Sequence, residues 1–173
     1  MVLDLANALA ESPLRTAVVY LLGNVPGLPP IVQTIHILSV AAIMGSVVLI
    51  DLKVLGLALP SQSLSELARR LMPWTWWALP TLALSGAVFI LARPASYVVN
   101  PVFRLKFAML APAVVLAAVF HRAMAGDSGF WERTRAREIA AKVVAAVSLL
   151  LWIGVAMAGR WIAYADYLFP EGP

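Results

Sequence analysis

The sequence predicts an all-α integral membrane protein, a four-helix bundle with a short N-terminal interfacial helix, forming one membrane domain over residues 1–173. Three observations carry this. The chain is 62% hydrophobic and only 13% charged, with a mean hydropathy of +0.87, against about 45–50% apolar and about 25% charged residues in a soluble domain. One small core could not hide that much apolar surface from water. Four stretches also reach the roughly 20 residues that a bilayer crossing needs, and most charges flank those stretches.

Residues 1–25 come first. Ser12 can cap a helix, Pro13 suits its first position and Gly23-Asn24 can end it. A dozen residues rise only about 18 Å, too short to span, so this element is expected in the interface. Met1 to Ala10 carries Asp4 and neither Lys nor Arg, unlike the cationic start of a secretory signal, so the segment is expected to stay on the protein.

No charge occurs from Thr16 to Ile50, and Pro26, Pro29 and Pro30 divide that stretch, which leaves a first span at about 30–59. The second, about 73–91, lies between Arg69-Arg70 and Arg93-Pro94 and opens on Pro73-Trp74-Thr75-Trp76-Trp77, an aromatic anchor at headgroup level. The third, about 101–124, has only 14 uncharged residues between Lys106 and His121. It must therefore carry Arg104 and Lys106 at one end and His121-Arg122 at the other, the long cations snorkelling. The fourth runs from about 139 to 163, with Lys142 near its start and Arg160-Trp161 near its end. Pro80 and Pro112 predict kinks, the short link between spans two and three predicts antiparallel neighbours, and Ala41/Gly45, Ala42/Ser46, Ala141/Ala145 and Gly154/Ala158 have the small-residue spacing of close helix contacts.

Face A is the side bearing both termini and face B the other. Face B collects Lys53, Arg69, Arg70, Arg122, Arg133, Arg135, Arg137 and Lys142, whereas face A has Arg15, Arg93, Arg104, Lys106 and Arg160. The basic excess predicts a cytoplasmic face B and exoplasmic termini. With the basic residues dispersed between apolar runs, nucleic acid is not an expected partner; the lipid bilayer is. The absence of cysteine excludes disulfides, iron–sulfur clusters, thiolate zinc and covalent c-type haem. Neither a Gly-x-Ser-x-Gly elbow nor a His-Glu-x-x-His motif occurs, which argues against hydrolysis.

Ionisable groups in hydrocarbon are costly and therefore mark candidate sites. They are His36, Asp51, Arg104, Lys106, His121 and Arg160. His36 and His121, on two spans, are the candidate metal ligands, yet spans one and three run in the same direction. That sets the two histidines roughly 20 Å apart in depth, while axial ligands of one iron lie within about 4 Å of each other. One bis-histidine haem in a single subunit is thus not expected.

Near face A, His36 can meet Met109 or Met157 as a second haem ligand, with propionates on Arg160 or Lys106 and with Gln33 and Tyr164 around it. The plainer reading makes His36 a core histidine bonded to Gln33, Ser39 or a neighbouring helix. Near face B, Asp51 and His121 fall at similar depth, so Asp51 can orient an imidazole, neutralise Arg122 or Lys53, or take part in proton transfer. The plainer reading there is an interfacial charge cluster. The stretches 40–48, 80–88, 110–117 and 147–155 carry no charge, which argues against an ion pathway through one subunit.

Gln33-Thr34-Ile35-His36-Ile37-Leu38, Gly45, Asp51-Leu52-Lys53-Val54-Leu55-Gly56, Tyr97 to Lys106, His121 and Gly159-Arg160-Trp161-Ile162-Ala163-Tyr164 together resemble the DUF6644-type family of bacterial four-helix membrane proteins. That family is similar in layout to copper resistance protein D and other small b-type cytochrome-like bundles. The resemblance implies a multi-pass protein of the bacterial inner membrane and points to His36, Asp51, His121 and Arg160. Where the family commonly has an acidic residue three before the histidine, this chain has Gln33. Two functional readings follow. One is an electron-transfer subunit holding haem b or a quinone near the exoplasmic face, with other membrane or exoplasmic redox subunits, or a second copy of itself, as partners. The other is a non-catalytic anchor, assembly or accessory subunit of a larger complex.

Overall fold

A computed structural model of the chain describes residues 2–127 and 129–168. Two short helices, α1 (Val2–Ala10) and α2 (Pro13–Asn24), precede four long ones, α3 (Leu28–Val54), α4 (Leu64–Ala92), α6 (Pro101–Gly126) and α7 (Arg135–Trp161). The one-turn helix α5 (Pro94–Val98) links α4 to α6, and a 3₁₀ turn at Ile162–Tyr164 leads to α8 (Ala165–Leu168). All four long helices are long and apolar enough to cross a membrane; at 27 residues, α3 rises about 40 Å against a hydrocarbon core of about 30 Å.

Local chemistry fixes the ends. Ser12 caps α2 by accepting the Arg15 N–H, and Pro13 holds the first position, as the sequence predicts. The earlier helix α1 was not separated from the interfacial element, because nothing in its composition marks it; it docks on α5 and buries Ala6. Helix α4 begins nine residues before the predicted span at Pro73. The cause is Ser63, whose Oγ accepts the Glu66 N–H, so the Arg69-Arg70 turn is helical and Pro73 lies inside it. Asn100 starts α6 by accepting from the N–H groups of Val102 and Phe103, while its Nδ2 donates to the Ile162 carbonyl at the end of α7. Gly56, at φ 77°, supplies the left-handed turn that stops α3 at Val54 rather than at residue 59.

The long helices form a ring in the order α3, α4, α6, α7. Contact is most extensive between α3 and α4, then between α6 and α7, and α3 packs on α7. The antiparallel α4 and α6 are neighbours as the short link predicts, but theirs is the loosest edge of the ring.

Polarity is inverted relative to a soluble bundle. The buried polar or charged residues described are Ser39, Ser46, Asp51, Thr75, Ser85 and Ser148, all on the long helices, while large apolar residues such as Leu38, Trp77, Leu84 and Leu150 lie on the outer surface. In lipid such side chains need no cover, and a hydroxyl facing inward can find a protein partner. Small residues set the spacing: Ala113, Ala117, Ala141, Ala145 and Ala158 are buried between helices. Ala41 and Gly45, by contrast, face outward.

Candidate functional site

Polar groups converge at two depths, one toward each face. Toward face A, His36 of α3 lies against α4. Its Nδ1 is 2.9 Å from Ser85 Oγ, its ring meets Phe89 edge-on at 5.5 Å, and Gly86 makes room, a Cβ there lying 3.5 Å from Cε1. Ser85 Oγ also lies 2.8 Å from the Thr81 carbonyl and 3.1 Å from the Leu82 carbonyl; with its single proton on either of these it accepts from His36. In that arrangement Nδ1 carries the hydrogen, and neutral His36 keeps a lone pair on Nε2. That nitrogen is neither bonded nor sealed off among the described residues.

His121, toward face B, is the opposite tautomer. Trp76 Nε1–H donates to its Nδ1 at 2.8 Å, with the rings stacked at 5.7 Å. An indole can only donate, so Nδ1 is the acceptor and the proton of neutral His121 sits on Nε2. One histidine thus offers an acceptor nitrogen and the other a donor. Both lean on α4, through Ser85 and Trp76, nine residues and about 14 Å apart along its axis.

The remaining candidates separate. Lys106 of α6 lies within electrostatic range of His36; its Nζ rests on α7 where Gly159 leaves room, 3.6 Å from a Cβ built there. It is half-buried and has neither an anionic nor a hydrogen-bonding partner among the described residues. Met109 instead fills the α6/α7 seam, its Sδ only 2.8 Å from where a Gly154 Cβ would stand, and Met157 is 47% exposed on the outer surface. Neither thioether is brought to His36 as a second ligand. Arg160 donates to its own Tyr164 hydroxyl at 3.0 Å and stacks over that ring, both side chains being exposed, and Gln33 is exposed as well.

Asp51 is brought to Ser148 of α7 and not to His121. Among the described residues no three His, Cys, Asp or Glu side chains group as a metal site would require.

Ser85 and Ser148 escaped the sequence reading, and Gly154 and Gly159 were named there without the Met109 and Lys106 side chains they accommodate. Trp76 was read only as part of an anchor, yet Trp74 and Trp77 are 64% and 78% exposed while Trp76 turns inward. The available signal was helical phase: Trp76 is the one indole of the three on the face of Met72 and Thr75 or its edge, and both are buried.

These helices, with their inward hydroxyls and apolar exterior, define a multi-pass integral membrane protein. The chain belongs to the family of unknown function DUF6644, whose profile matches residues 18–165. No curated protein and no solved structure matches it.

Proposed function

We propose that this protein is an electron-transfer component that binds the headgroup of a lipid-soluble quinone beside His36 and Lys106, near the face that carries both termini, and positions it for a redox partner. The observation that carries this reading is the pairing of an acceptor with a donor. His36 Nε2, left unprotonated by the Ser85 bond, accepts from a quinol hydroxyl, and Lys106 Nζ donates to a quinone carbonyl. Both groups are open to a ligand, and the loose α4/α6 edge admits one from the lipid. By the distribution of basic residues this face is exoplasmic, in a bacterial inner membrane as the family resemblance implies.

The test is equilibrium binding of a short-chain ubiquinone or menaquinone analogue to the detergent-purified full chain. Saturable binding that falls about tenfold or more in Lys106→Gln and in His36→Phe is expected, the loss of a hydrogen bond to a charged or strongly polar group. Binding that is absent, or unchanged from wild type in both variants, overturns the reading in favour of an anchor or assembly subunit. Haem bands in a dithionite-reduced difference spectrum, lost in His36→Phe, overturn it in favour of iron.

A further inference from the structure

A second, independent feature lies toward face B. Asp51 is 7% exposed, and its Oδ2 is buried with no hydrogen-bond partner. It lines a cavity of about 10 Å³ to which all four long helices contribute, through Val47 and Ile50 of α3, Met72 of α4, Phe120 of α6 and Ser148 of α7. Among the described residues, Asp51 and Ser148 contribute the only polar side chains there. The volume suits one water molecule, which needs at least two polar partners, and these two side chains supply them.

Among the described residues, nothing charged faces the carboxyl from the helices around it. On its own helix, Lys53 donates to the Leu59 carbonyl. On α4, Arg70 pairs with Glu66 and Arg69 is exposed. On α6, His121 is bonded to Trp76 and Arg122 is exposed. On α7, Lys142 pairs with Glu138. A carboxylate enclosed by apolar walls without a counter-ion pays a desolvation cost that a neutral acid avoids, and the acid gains an O–H donor.

We propose that Asp51, Ser148 and one internal water form a proton-binding site, in which Asp51 holds the proton and donates from Oδ2 into the cavity. Three side-chain oxygens from two residues fall short of the six to eight that calcium takes and the near-octahedral set that magnesium demands, so the occupant is a proton with water.

Infrared spectroscopy of the full-length protein in lipid reads this directly. At neutral pH the wild type should show the C=O stretch of a protonated carboxylic acid, lowered in D₂O and missing from Asp51→Asn. In Ser148→Ala the band should persist at higher frequency, because its hydrogen-bonded neighbour is gone; this arm holds even where Asp51→Asn does not fold. A wild type with no protonated-acid band, a band unchanged in both variants, or a carboxylate band that shifts on exchanging sodium for potassium each overturns the proposal.

Discussion

Gly154→Ala puts a methyl group against the Met109 thioether, and the structure sets the scale of its effect. The new Cβ would stand at an ordinary 3.5 Å from Cε but only 2.8 Å from Sδ, closer than nonbonded atoms tolerate, so Met109 or α7 must shift. Overpacking of this kind costs about 1–3 kcal/mol, and a methionine, being flexible, yields toward the low end. The same substitution raises helix propensity by about 1 kcal/mol. The single variant is therefore expected to lose between about 0 and 2 kcal/mol. A double-mutant cycle separates the two effects: in a Met109→Ala background the clash is gone, and Gly154→Ala should become stabilising by up to about 1 kcal/mol. Reversible SDS or thermal unfolding in mixed micelles, run on all four proteins, measures it. Equal effects of Gly154→Ala in both backgrounds would refute the placement of Met109 in the α6/α7 seam. Gly159→Ala is the control, since its Cβ would meet Lys106 Nζ at an ordinary 3.6 Å and should leave stability unchanged or raised.

Nitrogen-15 shifts of labelled histidine should report two opposite neutral tautomers, Nδ1–H for His36 and Nε2–H for His121; two like tautomers contradict the assignment. Trp76→Phe should leave His121 Nδ1 without its donor, destabilising the protein by about 1 kcal/mol in the same unfolding assay and freeing that ring to switch tautomer. Asn100→Ala should cost about 1–2 kcal/mol through loss of the cap, while Asn100→Asp, which keeps the acceptor and loses only the donor to Ile162, should cost less. Because the chain has no cysteine, Arg133→Cys gives a single thiol in the α6–α7 link; an impermeant maleimide should reach it from the cytoplasmic side only.

The spans were legible because each is a long apolar run bounded by charge, and the cap at Ser12 follows a rule that operates within four residues; the same rule at Asn100 was not applied. The start of α4 was misplaced because Pro73 and the adjacent arginines read as a boundary, whereas the Ser63 cap and the packing of Leu64, Leu67 and Ala68 outweigh the one hydrogen bond that a proline removes. At the site, the cost of an ionisable group in lipid singled out His36, Lys106, His121 and Asp51. Their partners did not announce themselves. A serine in a transmembrane helix can satisfy its hydroxyl on its own backbone, as Ser39 and Ser46 do, so composition alone does not distinguish them from Ser85, which also serves a neighbouring helix. Met109 and Arg160 were grouped with His36 by depth alone, and rotation about the helix axis, which depth ignores, sends one into a seam and the other outward.

The loose α4/α6 edge has a consequence for how the protein is made. When α3, α4 and α6 have left the ribosome, α6 has little to hold it to the earlier pair, because its main contact, like one edge of α3, belongs to α7. The last span is therefore the keystone. At about 5–20 residues per second, the 27 residues of α7 take about 1–5 s to emerge. During that interval Asp51 lacks Ser148 and the α7 wall of its cavity. Truncation before α7 should on this logic yield a short-lived product rather than a three-helix remnant.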